Sequence, residues 1–417
     1  LISLAKEKPP HAGGFFVLIT APTMRKIIAM VLFGILILPL ASASDVKFAE
    51  LTPLSPQDLA LNAGDVSPDG NTVLVVGSEG FIHGLSGNEP GDRGKDISID
   101  SGRSASFNDV AWHPNGETAL IAGELGAALR YVHSDQTIES LSGATILGGV
   151  ELTSVEWRAG GDLAFFGAKN GNIYVKDADI LTEIQGSMNS SIMDIACHLE
   201  QNICVVATLE DGIGVIDRTS ELTWISGTSN RAWMAIDCPK STLYTCTGFA
   251  SAREYLSIRL DIEDASKSTG DLDGNGETDV RVLEDGDSDF IKLSRGFDDT
   301  TIVHMAPMES VRYEPKIDGM VLHTSSEELT EFNPNVAGDS IALIWEQGKN
   351  DGWMITNTGK IVKITPDETT PSLGIMETIV FTAVAISVPG VIIGLIFMNS
   401  PFLQRKYRQL RGFDKKN

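Results

Sequence analysis

Residues 109–116 read Asp-Val-Ala-Trp-His-Pro-Asn-Gly, and a degenerate form of this block returns along the chain. After the Pro-Asn-Gly turn comes an apolar run, Thr118 to Ala122, and after a second turn comes another, Leu129 to Val132. Both runs are too short for typical helices and are bounded by turn residues. Each block therefore predicts strand, tight turn, strand, turn, strand.

The block has a period of 40 to 46 residues. Its equivalent positions are Val66, Trp112, Trp157, Cys197 and Cys238. Repeats of this length, built of short strands, are typical of four-stranded blades arranged around an axis. The sequence therefore predicts an all-β fold, a β-propeller over residues 45–370. Its length predicts about seven four-stranded blades, with six or eight left open.

The repeat becomes irregular in the second half of the chain. An acidic insertion, residues 263–289, interrupts it, and the next blocks lie around Val311 to Pro315 and Ser340 to Trp345. The segment from Val46 to Leu54 is a candidate to pair with the last blade. Such pairing closes the ring and removes exposed edge strands.

From about Val46 to Pro366 the chain resembles the WD-repeat-like propellers. The resemblance implies blade geometry in which the strand before each Ser-Pro-Asp-Gly-type turn is the innermost of its blade. The chain lacks the Gly-His and Trp-Asp dipeptides of true WD repeats. The hydrogen-bond network of those dipeptides is therefore not carried over, and no WD-type partner is implied.

A second column of small or acidic residues lies three positions before the first. It consists of Ala63, Asp109, Ser154, Asp194 and Ala235. Asp109, Ser154 and Asp194 are candidates to point into the central channel, where they could bind a cation or polar ligand. The alternative is that they cap strands and satisfy backbone donors.

Four cysteines indicate an oxidising compartment. They flank predicted hairpin turns at equivalent places in adjacent blades, which predicts the disulfides Cys197–Cys204 and Cys238–Cys246. A link from Cys197 to Cys238, between neighbouring blades, is the alternative. No Cys-x-x-Cys spacing supports metal binding by these residues.

The acidic insertion contains a Gly-bent loop, Asp-Leu-Asp-Gly-Asn-Gly-Glu-Thr-Asp, at residues 271–279. Oxygen ligands at positions 1, 3, 5, 7 and 9 of such a loop suit calcium. The pattern resembles the calcium loops of dockerins and integrin-type propellers. The resemblance implies side-chain ligands Asp271, Asp273, Asn275 and Asp279 and a carbonyl from Glu277. Val282 replaces the Glu found at position 12 of an EF-hand. A structural calcium ion is predicted, and a plain surface loop is the alternative.

The two ends of the chain predict a membrane address. Residues 1–23 are interpreted as upstream sequence, and residues 24–44 have the basic start, apolar run and Ala-Ser-Ala site of a signal peptide. Residues 375–398 are long and apolar enough for a transmembrane helix. The tail, 399–417, is basic, which places it in the cytoplasm and the propeller outside the cell membrane.

The formal net charge is −24, so nucleic acid is excluded as a partner of the acidic ectodomain. No nucleotide fingerprint or nucleophile motif is evident. The predicted function is a cell-surface binding or scaffolding module for protein, peptide or envelope glycan, without enzymatic activity. The alternatives are a calcium-dependent hydrolase with its site in the channel and an envelope-assembly factor that holds client proteins.

Overall fold

The computed structural model describes residues 46–178, 180–283, 288–367, 396–397 and 399–410. The chain forms seven antiparallel sheets, and in the first six the strands run in sequence order from the inside outward. The protein is therefore an all-β propeller of seven blades, as the period of the sequence predicts.

Each blade contributes one strand to each of four concentric positions. The inner strands are β2 (Leu61–Val66), β6 (Phe107–Trp112), β10 (Leu152–Trp157), β14 (Ile192–Cys197), β18 (Trp233–Asp237), β23 (Phe290–Arg295) and β27 (Ile341–Gly348). The second strands are β3 (Thr72–Gly77), β7 (Thr118–Gly123), β11 (Leu163–Ala168), β15 (Cys204–Thr208), β19 (Thr245–Ala250), β24 (Thr301–Met305) and β28 (Asp351–Thr356).

The third strands are β4 (Ile82–Ser86), β8 (Ala128–Val132), β12 (Ile173–Asp177), β16 (Ile213–Ile216), β20 (Glu254–Arg259), β25 (Glu309–Glu314) and β29 (Ile361–Pro366). The outer strands are β5 (Ile97–Ile99), β9 (Thr137–Ser140), β13 (Ile180–Glu183), β17 (Leu222–Trp224), β21 (Thr269–Gly270), β26 (Gly319–Thr324) and β1 (Val46–Glu50). In the fifth blade β22 (Arg281–Val282) also pairs with β20.

The ring is closed by the two ends of the propeller sequence. Strand β1 pairs antiparallel with β29, from Val46 opposite Pro366 to Glu50 opposite Val362. The amino-terminal strand is therefore the outer strand of the seventh blade, which confirms that the segment beginning at Val46 pairs with the last blade. Because β29 has a partner, the third strand of that blade is not left as an open edge.

One block of the irregular half is assigned differently from its sequence interpretation. The block around Val311 is β25, the third strand of the sixth blade, and the inner strand of that blade is β23, Phe290–Arg295. The acidic insertion supplies β21 and β22 at the outer side of the fifth blade. It is thus part of a blade rather than only a connection between blades.

Every inner strand carries a β-bulge after its first residue. A bulge re-aims the side chain of the extra residue. In the first three blades that side chain donates a hydrogen bond to the inner strand of the next blade. The three bonds run from Asn62 to the carbonyl of Phe107 (2.8 Å), from Asn108 to that of Leu152 (2.8 Å) and from Thr153 to that of Ile192 (2.5 Å).

The hydrophobic cores lie between blades, because both faces of each sheet are covered by a neighbour. One core combines Leu74 of the first blade with Ile121 and Trp112 of the second. The Trp112 ring meets Tyr131 edge to face, with centroids 5.8 Å apart. Apolar burial therefore joins each blade to the next and cannot be completed within one blade.

A buried ion pair joins the sixth and seventh blades. Arg312 of β25 contacts both carboxylate oxygens of Glu346 in β27, and the two side chains are only 4 % and 1 % exposed. The backbone N–H groups of Phe297 (2.9 Å) and Asn350 (3.1 Å) also donate to Glu346. Burial acts to raise the pKa of Glu346, but the hydrogen bonds of His323 and Arg312, the charge of Arg312 and the N–H of Phe297 hold it at about 2.

Both predicted disulfides are confirmed. Cys197 is bonded to Cys204, and Cys238 to Cys246, so each bridge joins the inner and second strands of one blade across their hairpin. The alternative link between Cys197 and Cys238 is not formed. All four cysteines are buried.

Outside the propeller, a short helix, Ser326–Phe332, precedes the seventh blade, and a C-terminal helix covers Pro401–Leu410. Within the described ranges no helix combines the length and apolar character needed to cross a bilayer. Almost all of the predicted span, 375–398, lies outside the described residues, as do residues 1–23 and 24–44.

Replacing Glu346 by Leu is expected to destabilise the propeller by about 3–5 kcal/mol, because Arg312 keeps a buried charge without its partner. The double variant Arg312→Leu/Glu346→Leu should recover part of this loss. Only part returns, since two backbone N–H groups also lose their acceptor. Denaturant unfolding measures both. As a control, Lys349→Met removes a surface partner of Glu314 and should cost about 1 kcal/mol or less. A loss under about 1 kcal/mol for Glu346→Leu would contradict this role.

Candidate functional site

Two of the predicted channel residues bind the neighbouring blade. Asp109 in β6 and Asp194 in β14 are half-buried on inner strands. The N–H of Val155 donates to Oδ2 of Asp109 (2.9 Å), and the N–H of Ile236 donates to Oδ2 of Asp194 (2.8 Å). Each carboxylate thus satisfies a backbone donor in the next inner strand. This is the strand-capping role that the sequence left open beside ligand binding.

Ser154, the third candidate, is placed differently. It is 2 % exposed, and its hydroxyl has no hydrogen-bond partner among the described residues. A Cβ added at Gly167 would lie 2.5 Å from this hydroxyl oxygen. The hydroxyl therefore packs against the second strand of its own blade instead of facing open solvent.

Three further carboxylates lie two residues beyond the predicted column. They are Asp65, Glu156 and Asp237, in the first, third and fifth inner strands. Positions two apart in a strand share a face, so this second acidic column was readable from the sequence once the inner strands were known. The N–H of Trp112 donates to Oδ2 of Asp65 (2.8 Å), which repeats the inter-blade bond of Asp109.

Burial raises the pKa values of the inner-strand carboxylates, and at Asp65, Glu156 and Asp194 the charge of a neighbouring inner-strand carboxylate adds to the rise. Burial raises the pKa of Asp65 and of Asp237 to about 6 and that of Asp194 to about 7. Burial, followed by repulsion from Asp65 and then by the other inner-strand carboxylates, raises the pKa of Glu156 well above its usual value. The pKa of Asp109 is also raised by burial. These carboxylates therefore interact around one axis.

Two cations from the sixth blade face this acidic lining. The ammonium group of Lys292 donates to the carbonyl oxygen of Asn62 in the first blade (2.9 Å), and its charge opposes the rise in pKa of Asp109 and Asp194. Arg295 acts in the same way on Asp65. The channel wall is thus acidic over blades one to five and basic at blade six.

The channel has a charged lining, and the described residues do not form a metal site or a large substrate pocket there. Among the described residues, no group of three His, Cys, Asp or Glu side chains is arranged to hold a metal ion. A cavity of about 220 Å³ lies elsewhere, near the junction of the fifth and sixth blades, lined in part by Ser241, Phe297, Arg312 and Lys316. Substrate pockets are typically about 300–1,000 Å³, so this cleft is small for one.

The loop predicted to bind calcium forms a tight hairpin. A bridge between Leu272 and Thr278 closes it, and the N–H of Asp279 donates to the carbonyl of Asp271 (2.7 Å). Asp273 caps the turn by accepting from two backbone N–H groups, those of Asn275 (2.8 Å) and Glu277 (2.9 Å).

The side chain of Asp271 is engaged by a cation of the protein. Arg259 of β20 donates to its Oδ1 (3.1 Å). The donor set of the loop has the right chemistry for calcium, but it is not assembled around one point in this conformation. Calcium binding stays a prediction, and it requires Asp271 to exchange Arg259 for the ion.

A second candidate site is the upper face, defined here as the turns between second and third strands together with the connections that lead to each next inner strand. Four exposed apolar side chains lie there on blades two to four. We call them the upper apolar arc: Leu125, Ile146, Met188 and Leu209. The N–H of Gly126 donates to the carbonyl oxygen of Val150 (2.8 Å), so the turn that contains Leu125 lies beside the loop that contains Ile146.

Leu125 combines an exposed apolar side chain with a left-handed backbone conformation. Its side chain is 76 % exposed, and its φ of 56° is in the left-handed region. The equivalent turns of the first and fifth blades carry Glu79 and Ala252 in the same conformation. The turn therefore does not require leucine, and a left-handed non-glycine residue costs about 1–2 kcal/mol. Nothing in the folding of the blade accounts for Leu125.

Comparison with known proteins supports the fold. The structure is similar to the β-propeller domain of Cps50 (Swd1) from Myceliophteria thermophila, with a TM-score of 0.57 over 76 % of this chain and 99 % of that one. The sequence identity is 10 %, so the likeness shows the fold alone. No family model matches the sequence. No curated protein matches it significantly.

The channel carboxylates predict that stability falls as pH rises. Their pKa values are raised on folding, so their contribution is fully present below the unfolded pKa near 4 and is lost as pH rises through 6 to 7. Glu156→Gln should raise the melting temperature at pH 8 by roughly 2 °C and flatten the fall from pH 5 to 8. Scanning calorimetry measures this. Glu183→Gln, at an exposed site of the same blade, should change neither. An unchanged pH profile for Glu156→Gln would refute the shared acidic lining.

The hairpin at 271–279 predicts competition between Arg259 and calcium. We expect weak binding, with a dissociation constant on the order of 10⁻⁴–10⁻³ M. Arg259→Ala should strengthen it by releasing Asp271, and Asp273→Asn should abolish it. Isothermal titration with CaCl₂, repeated with MgCl₂, measures the dissociation constants of the unmodified protein and of the two variants. No calcium-dependent heat in any of them would make the hairpin a plain surface loop.

Proposed function

We propose that this protein is a cell-surface scaffold whose propeller holds a protein or peptide partner on the upper face, around the upper apolar arc. The observation that carries the proposal is Leu125, an exposed leucine in a left-handed turn that accepts glutamate or alanine elsewhere in the same ring. The exposed side chain gains little burial on folding and the left-handed backbone costs free energy, so selection for stability alone does not explain a leucine here.

The fold suits this role physically. The loops of the upper face are carried by blades that share cores and inter-blade hydrogen bonds, so the arc is presented with little ordering cost on binding. Because the chain is strongly acidic, with a net charge of −24, a partner with an apolar anchor flanked by basic residues is favoured over an acidic one. Envelope glycan is a partner class that also fits the sequence. The upper apolar arc favours it less than a protein or peptide, because the side chains of the arc are apolar and form no hydrogen bonds to sugar hydroxyls.

The membrane address of the proposed scaffold rests on the sequence. The apolar stretch 375–398 and the basic residues after it favour a single-pass anchor with the propeller outside. A channel hydrolase is the weaker candidate, because Asp109 and Asp194 already bind backbone donors of the next blade. The proposal does not depend on calcium.

Photo-cross-linking in the native membrane tests the upper face. A photoreactive residue at position 146 should give a defined protein adduct, and one at position 317, an exposed apolar site in a lower-face turn, should not. Adding Leu125→Gly to the first protein should remove the adduct, since the anchor is lost. The same change should raise the melting temperature by relieving about 1 kcal/mol of backbone strain.

The two readouts separate loss of binding from loss of folding. A stabilised Leu125→Gly protein without the adduct supports the proposal. A stabilised protein that keeps the adduct, or equal adducts at positions 146 and 317, would assign partner binding to another surface or to none.

A further inference from the structure

The C-terminal helix, Pro401–Leu410, combines aromatic and basic residues without a single acidic one. Its sequence is Pro-Phe-Leu-Gln-Arg-Lys-Tyr-Arg-Gln-Leu, with cations at positions 405, 406 and 408. The helix begins after a turn at Ser400, whose carbonyl accepts from the N–H of Gln404 (3.2 Å). Only two residues separate it from the predicted membrane span, 375–398.

Its aromatic side chains are exposed. Phe402 is 69 % exposed and Tyr407 is 45 % exposed. The Lys406 ammonium lies 6.0 Å from the centre of the Phe402 ring, and the Tyr407 ring meets Phe397 edge to face with centroids 5.5 Å apart. An exposed phenylalanine next to lysine is unfavourable in water, but it suits the boundary between headgroups and acyl chains, where the ring is buried and the ammonium reaches outward.

We propose that this helix lies flat on the anionic cytoplasmic surface of the bilayer, with Phe402 and Tyr407 inserted at the headgroup boundary and Arg405 and Lys406 binding lipid phosphates. The inference rests on the membrane anchor of the proposed function, which delivers the helix to the bilayer surface. The charge of the helix favours anionic lipid as its binding partner. The helix is wholly basic in its charged residues, and anionic lipid attracts such juxtamembrane segments.

A protein partner is the weaker occupant for this helix. Ten residues offer a small surface, and the aromatic residues lie close to the end of the predicted span, at the depth where membrane proteins concentrate Tyr and Trp. Binding to the protein's own propeller is opposed by topology, because the propeller is proposed to lie on the other side of the membrane. Both alternatives predict protection of the helix that does not depend on the lipid.

Hydrogen exchange on the full-length protein in lipid nanodiscs tests the proposal. Discs of phosphatidylcholine alone are compared with discs that also contain phosphatidylglycerol. Exchange over residues 399–410 should be slower by on the order of tenfold in the anionic discs, and high salt should remove the difference. Arg405→Gln/Lys406→Gln should reduce the lipid dependence severalfold, and Phe402→Ser should weaken protection in anionic discs while leaving the propeller peptides unchanged.

The outcomes for the anchor and the helix are distinguishable. Co-elution of the protein with the discs reports the anchor, and the lipid dependence of exchange reports the helix. A protein that co-elutes but exchanges equally in both discs overturns the helix proposal and leaves the anchor intact. A protein that does not co-elute overturns both.

Discussion

The pairing of β1 with β29 is the contact on which the rest of the structure depends. Five residues at the start of the propeller, Val46–Glu50, complete a sheet whose other strands lie more than 290 residues later in the chain. Without this pairing the seventh blade would lack its outer strand, and the first and seventh blades would be joined only by their shared apolar core and by bonds such as that from Trp345 Nε1 to the carbonyl of Gly87 (3.0 Å). The shared cores between blades depend on that closure, since each blade can bury its faces only against neighbours on both sides.

Hydrogen bonds between neighbouring inner strands make the closed ring rigid. The same strands carry the polar side chains of the channel. In the first three blades the bulge residue bonds to the next blade, and Asp65, Asp109 and Asp194 accept backbone N–H groups there. Burial of these carboxylates raises their pKa values, and the charge of Asp109 adds to the rise at Asp65 and Asp194. Blade-to-blade bonding thus accounts for three carboxylates of the acidic lining, Asp65, Asp109 and Asp194. The channel and the upper face then have separate roles, one holding the ring together and the other presenting Leu125.

The repeat made most of the fold predictable, and its failures have physical causes. The period found the inner strands of five blades, and the hairpin positions of Cys197 and Cys238 predicted both disulfides. It missed the inner strand β23, because Lys292 stands where the first five blades have small or acidic residues and Arg295 stands where they have Val, Trp or Cys. Burial of the Ser154 hydroxyl depends on its packing against Gly167, which no spacing along the chain reveals. The strain at Leu125 was equally hidden, since φ is a property of the folded turn.

Ring closure can be measured directly by hydrogen exchange on the propeller. If β1 is the outer strand of the seventh blade, the amides of 46–50 and 361–366 should exchange together, at rates close to those of the inner strands, because opening them requires opening the ring. Rapid exchange of 46–50, with 361–366 behaving as a free edge, would contradict a closed ring and with it the rigid upper face on which this account of the protein rests.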